Sequence, residues 1–165
     1  KIGKKTLISL EKWPEYDEKK IKPELEYSEN IIKNTKNDVK NVMKLLKKEK
    51  AEKIQIIISS KWKYELYKEF NKAFEKNKTP SEITREIMKT DLKSHGQEIV
   101  KLVPKLIENK QKIILTQDKE LKIFKKHETD IEKEFNADLK IEIAENSKED
   151  KAKNAMPGKP AIIIK

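Results

Sequence analysis

Apolar positions in this chain fall in blocks with recognisable periods, separated by short polar or proline-containing stretches. Over residues 23–48, Ser28, Ile32, Thr35, Val39, Val42 and Leu46 step by 4, 3, 4, 3 and 4, and Ile31, Met43 and Leu45 widen the stripe. That spacing predicts one long helix with a single buried face, and Pro23 suits its first turn. Residues 54–59, Ile-Gln-Ile-Ile-Ile-Ser, are short and β-branched and predict a buried strand. A helix follows, with Ser60 as its N-cap. In it Trp62, Leu66, Phe70 and Phe74 recur every four residues. This spacing assigns Trp62 to the core stripe and leaves Lys63 and Tyr64 free to face outward.

Thr79-Pro80-Ser81-Glu82 has the form of a capping box with proline at the first helical position, followed by Ile83, Ile87 and Met88. Ser94-His95-Gly96-Gln97 is a weaker second box. It opens a helix through Ile99, Leu102, Val103, Leu106 and Ile107, in which Pro104 predicts a kink or a split. Residues 113–115 suit a brief strand or a buried loop. Asp118 is expected to cap a helix that turns Leu121, Phe124, Ile131 and Phe135 inward and stops at Asn136. Leu139, Ile141 and Ile143 alternate with Lys140 and Glu142, the pattern of a half-exposed strand. Residues 146–159 read as a polar loop, and 161–165 as a last strand.

This order predicts an α+β fold with a small mixed β-sheet, strands near 54–59, 139–144 and 161–165, packed with about five helices. The first two strands are expected to run parallel through a right-handed crossover, and the last to return antiparallel. Residues 1–20 lack a sustained period, although Leu7, Ile8 and Leu10 suit a short strand or arm. Trp13-Pro14 forces an extended backbone. This stretch reads as a connector whose Trp13 and Tyr16 dock on a neighbouring surface, ahead of a domain spanning 21–165.

Composition narrows the function. With 35% hydrophobic and 41% charged residues, the core must be modest and the surface heavily charged. The net charge of +10 points to an anionic partner. The rival reading is the Lys/Glu surface of a heat-adapted protein. Arg85 is the only arginine. The charge therefore suits point attraction to a phosphate backbone better than the forked reading of base edges. Cysteine is absent, which excludes disulfides and thiol chemistry. No apolar run approaches the roughly 18 residues of a membrane span, and no signal-peptide core of about 7–15 residues is present. A cytoplasmic protein without membrane contact is the expectation. A chain starting at Lys1 without methionine is expected to be a piece of something longer.

No active site emerges. The histidines, His95 and His127, stand apart in sequence, and three glycines, Gly3, Gly96 and Gly158, cannot build a phosphate loop or a dinucleotide fingerprint. No serine sits in a glycine-flanked elbow. The carboxylates lie among lysines on charged helix faces. Two contact surfaces remain. In Lys61-Trp62-Lys63-Tyr64, lysines interleave with aromatics, a pattern able to neutralise phosphates and stack bases. The other is the basic loop of Lys148, Lys151, Lys153 and Lys159 with the strand that follows it.

Four stretches, in order along the chain, resemble the C-terminal domain of leucyl-tRNA synthetases of the archaeal and eukaryotic-cytosolic type. Trp13-Pro14-Glu15-Tyr16-Asp17 is similar to that domain's opening "PWPEYDE". Ser60-Lys61-Trp62-Lys63-Tyr64 after a strand is similar to "PEWKWK". Lys93-Ser94-His95-Gly96-Gln97-Glu98-Ile99 resembles "RKHGKEV". Ala155-Met156-Pro157-Gly158-Lys159-Pro160-Ala161-Ile162 resembles the ending "AMPxKPAI", with Gly158 where the family has a bulkier residue. The HIGH and KMSKS motifs of the catalytic domain are absent.

The resemblance implies a non-catalytic domain that binds leucine tRNA, with the remainder of the synthetase chain as its other partner. Residues 1–20 would connect it to a preceding anticodon-binding region. It implies no cofactor here, ATP and magnesium belonging to the parent enzyme's ligase chemistry. It places Pro160, Ala161, Ile162, Ile163, Ile164 and Lys165 as a reading edge for the long variable arm. Lys151, Lys153 and Lys159, with Lys61 and Lys63, would attract phosphates by their charge and position. The alternative is a protein-interaction module of a synthetase assembly with little tRNA affinity of its own.

Overall fold

A computed structural model describes residues 23–109 and 113–165. The expected connector with Leu7, Trp13 and Tyr16 lies outside the described residues. The elements are α1 Pro23–Leu45, β1 Lys53–Ile58, α2 Lys61–Phe74, α3 Pro80–Ile87, α4 Gly96–Glu108, α5 Gln117–Lys126, α6 Glu128–Phe135, β2 Asp138–Ile143 and β3 Ala161–Ile164. The sheet has the order β2-β1-β3. β1 runs parallel to β2, with Ile56 opposite Ile141, and antiparallel to β3, with Ile56 opposite Ile162. The expected α+β class, the three strands and their relative directions are all present.

Two apolar clusters fill the interior. Ile54, Ile56 and Ile58 of β1 meet Ile162 and Ile164 of β3 and, from α1, α5 and α6, Ile31, Ile32, Val39, Phe124 and Ile131. The second cluster is helical: Leu66 and Phe70 of α2, Ile83 and Ile87 of α3, and Ile99, Val103 and Leu106 of α4. β1 is buried on both faces, which explains its nearly continuous apolar run. Gln55, the polar exception, donates from Nε2 to Glu142 Oε1 at 2.5 Å.

The helices depart from the expected pattern at specific residues. The helix was expected over 23–48, with its stripe running on to Leu46, but it ends at Leu45. Lys47 adopts φ 53°, its N–H donates to Lys44 O, and the Lys48 N–H donates to Met43 O, both at 3.0 Å. This is a Schellman ending, and it leaves Leu45 82% and Leu46 49% exposed. In α2 the buried face is Lys63, Tyr64, Leu66, Tyr67, Phe70 and Ala73, with Trp62 and Phe74 at its margins. α3 carries the full capping box: the Glu82 N–H donates to Thr79 Oγ1 and the Thr79 N–H to Glu82 Oε2.

The second box does not form. Ser94 lies in a 3-10 turn, Asp91–His95, and His95 precedes α4 without a side-chain cap. Pro104 does not split α4. It lies on an exposed face, and the carbonyl it leaves unpaired, on Val100, belongs to a residue that is 54% exposed. Thr116, rather than Asp118, caps α5, its hydroxyl accepting from the Lys119 N–H. The single expected helix over 118–135 breaks at His127 (φ −101°, ψ 9°), so the described residues hold six α-helices where about five were expected. Asn136 ends α6 in the left-handed region (φ 48°, ψ 48°), as its residue type suggests.

The register of these faces has a direct test. Phe70→Ala is expected to cost about 3–5 kcal/mol, because Phe70 is fully packed. Leu45→Ala should stay within about 0.5 kcal/mol. Urea midpoints at unchanged m-value measure both. A large loss at Leu45 would contradict the early end of α1.

Candidate functional site

The junction between β1 and α2 is where distant parts of the chain converge. Ser59 is fully buried, and its Oγ donates to the Ala155 carbonyl at 3.0 Å. Ser60 has N-cap backbone angles, yet its hydroxyl caps nothing. The open N–H of Lys61 donates instead to Glu145 Oε1 at 2.6 Å, placing a carboxylate at the positive end of α2. Gln117 Nε2 fixes that arrangement by donating to Ser59 O at 2.8 Å and Glu145 Oε2 at 3.0 Å.

Lys63 corrects the sequence reading. It is 4% exposed rather than outward-facing, so it is not placed to meet a phosphate. Its position seven residues before Phe70 puts it on the buried face of α2. Its Nζ donates to the Lys153 carbonyl at 2.6 Å and the Ala155 carbonyl at 2.7 Å. It also lies 5.6 Å from the centre of the Trp62 ring. Burial lowers the ammonium pKa, with Glu98 opposing the shift. Tyr64 also turns inward and donates to Glu120 Oε2 at 2.8 Å. The half-buried Trp62 ring stacks on His95, centres 4.1 Å apart and 6° from parallel. The aromatics of this stretch are therefore engaged within the chain, and Lys61 is its exposed cation.

The segment after β2 is built rather than loose. It contains 3-10 turns at Ala144–Asn146 and Asp150–Asn154. Met156-Pro157-Gly158-Lys159 closes as a tight turn, the Met156 N–H donating to Lys159 O at 2.9 Å and the reverse bond measuring 2.8 Å. Gly158 takes φ 74°. Proline second and glycine third are what a type II turn requires, so glycine removes the strain a bulkier residue would carry here. The Gly158 N–H donates to Glu120 Oε2 at 3.0 Å.

β3 follows this turn. Lys165 N–H donates to Lys53 O at 2.9 Å, and Lys53 N–H to Lys165 O at 3.2 Å. By antiparallel alternation Ile163 and Ala161 also address β1, while the backbone groups of Ile162 and Ile164 face the outer edge. Among the described residues no strand pairs with that edge. The side chains of Ile162 and Ile164 are buried, and so is Pro160, while Ala161 and Ile163 are half-buried. The strand is thus a working part of the sheet rather than a free end. Lys151, Lys153, Lys159 and Lys165 are exposed. Lys165 pairs with Glu149 at 2.8 Å, and Lys153 lies 3.7 Å from Asp150. Among the described residues no carboxylate reaches ion-pair distance of Lys61, Lys148, Lys151 or Lys159.

The structure therefore joins into one corner the two candidate surfaces, which lie 90 residues apart in sequence. Sequence reasoning missed Ser59, Glu120 and Glu145. For Glu120 a signal was present: it sits four residues before Phe124 on the inward face of α5. Among the described residues no group of three or more His, Asp or Glu side chains could hold a metal ion. No described helix is long and apolar enough to cross a membrane.

Glu120 has an electrostatic signature that can be measured. It is 1% exposed, and its Oε1 has no partner among the described residues. Burial raises its carboxyl pKa, offset in part by the Gly158 and Tyr64 donors. A carboxyl whose folded pKa is raised stabilises the fold at acidic pH, and that contribution is lost as pH rises through the folded value. The stability of the parent relative to Glu120→Gln should therefore decline as pH rises above about 4.5. Urea unfolding across that range checks this, and a constant difference would mean that Glu120 ionises as freely in the fold as out of it.

No family model matches the chain. Individual proteins do. It is 32% identical over 169 residues to the leucine–tRNA ligase of Pyrococcus horikoshii and 34% identical over 164 residues to that of Methanococcus vannielii. It is 29% identical over 167 residues to that of Pyrococcus abyssi. Each match covers 99% of this chain, which spans 16% of the length of each of these relatives. At 32% and 34% identity over 99% of its length, the chain belongs to the archaeal-type leucyl-tRNA synthetase family, as a C-terminal domain fragment.

Proposed function

We propose that the chain binds leucine tRNA through its long variable arm and contributes no bond-making chemistry. The parent protein would be a leucine–tRNA ligase whose ATP- and magnesium-dependent reaction is carried out elsewhere in the longer polypeptide. The observation that carries this reading is the outer edge of β3, with which no described strand pairs, beside the exposed lysines of the 148–165 segment. Backbone N–H and C=O groups at Ile162 and Ile164 offer donors and acceptors to unpaired bases, where RNA specificity is available. Lys151, Lys153, Lys159 and Lys61 supply attraction to the phosphate backbone. The other sheet edge differs. On β2 the Leu139 N–H is taken by Glu132 Oε1 at 3.3 Å, so the chain partly closes that edge itself.

Because Ile162 and Ile164 complete the core, deleting the last strand would open the sheet. Charge removal is the cleaner test. The triple variant Lys151→Ala, Lys153→Ala, Lys159→Ala should keep the fold and weaken leucine-tRNA binding roughly tenfold or more in low salt. In gel-shift competition, leucine tRNA with its variable arm should outcompete the same tRNA trimmed of it. Affinity should fall steeply between about 50 and 200 mM salt. Equal competition by both tRNAs would reduce the surface to general cation attraction. Absence of tRNA binding at low salt would favour the protein-interaction alternative.

A further inference from the structure

We infer that Lys63 is a positioning residue, which fastens the 150–160 segment to α2 so that β3 and the tail lysines are presented in one fixed arrangement. Its connection to RNA rests on the function proposed above; its role in ordering the tail does not.

The argument starts from what is unusual about the residue. Lysine is rarely buried without a counter-charge, since taking an ammonium out of water is costly unless its donors are satisfied. Lys63 is 4% exposed, and among the described residues no carboxylate pairs with it. Its partners are main-chain carbonyls of Lys153 and Ala155. Those carbonyls belong to a stretch with few ties of its own: a 3-10 turn over Asp150–Asn154 and the Met156–Lys159 turn. Losing the ammonium would remove the Lys63 bond from the Lys153 carbonyl and leave the Ala155 carbonyl the Ser59 hydroxyl alone.

The neighbouring contacts act in the same direction. Ser59 holds Ala155, Lys61 holds Glu145 through its N–H, and Glu120 holds Gly158. Ser59 and Lys63 thus meet the tail directly, Lys61 holds the turn that leads into it, and Tyr64 reaches Gly158 through the shared Glu120 oxygen. Three residues after Gly158 the chain enters β3. The turn therefore sets where the strand begins, and the fastening at 153, 155 and 158 sets where the turn sits.

The test uses the 165-residue chain with Lys63→Met, which keeps most of the side-chain volume and removes the donors. Lys63→Gln, with amide donors on a shorter stem, is the companion should the methionine variant fold poorly. Hydrogen exchange followed by mass spectrometry should show peptides from 144–165 exchanging at least about tenfold faster, with α3 and α4 as protected as in the parent. Unchanged protection over 144–165 would overturn the inference, and so would equal loss of protection throughout the chain.

Leucine-tRNA titrations on the same variants add a readout that a direct contact would move differently. A positioning role predicts an affinity about tenfold weaker with the same slope of log affinity against log salt. A slope reduced by about one would make Lys63 a phosphate ligand and overturn its assignment as a positioning residue. If the parent chain binds no tRNA, the proposed function fails while the exchange result still decides the role of Lys63.

Discussion

The central strand β1 sets the terms for everything around it. It is buried on both faces, so its backbone N–H and C=O groups need partners on both edges. Both partners come from later in the chain: β2 on one side and β3 on the other. The strand proposed for RNA contact is therefore committed first to the sheet. Its inward side chains, Ile162 and Ile164, belong to the main core, and its inner backbone groups belong to β1. What it can give to another molecule is its outer edge, held rigid by the demands of its inner one. Such support suits a contact surface better than a mobile end does, because ordering a loose segment on binding would subtract from affinity.

Much of the fold was legible because its strands and caps are written in residue types with strong preferences. The β-branched run at 54–58, the alternation at 139–143 and the isoleucines at 162–164 each had one reasonable reading. The box at Thr79 and the stop at Asn136 rest on side-chain chemistry local to each position. Errors arose where local preference and tertiary context diverge. Leu45 and Leu46 continue an apolar stripe past the point where Lys47 turns left-handed. The break at His127 has no proline or glycine to announce it. The site was harder to read because its central residues defy their types. Lys63 and Glu120 are charged and buried, and each is satisfied mainly by groups far away in sequence. No window of neighbouring residues contains that information, although the helical phase of each position does place it inward.

The excess of lysine also takes on a different meaning in three dimensions. Part of it is neutralised locally. Lys36 and Lys40 converge on Glu134 at 2.8 and 2.6 Å, and their hydrogen bonds hold that carboxyl below its usual pKa. Lys78 pairs with Glu86 and Lys119 with Glu24. These pairs on α1, α3 and α5 are the mixed-charge surface that composition alone could not tell apart from a binding patch. Lys151 and Lys159 lack such partners among the described residues, and so do exposed lysines elsewhere, Lys33 and Lys126 among them, so the counter-ions narrow the candidate surfaces without singling one out.

The two clusters differ in how far apart their members lie along the chain, and this bears on how the molecule assembles. The α2–α3–α4 cluster is gathered from residues 66–106, whereas β1 must wait for residues 138–143 and 161–164. Contacts between near neighbours close small loops at modest entropic cost; those of β1 close large ones and form slowly. The helical half is positioned to nucleate early, and the sheet to zip up last. During that interval the isoleucine run of β1 has neither edge covered, which makes it the segment most exposed to wrong pairing with another copy while the chain folds.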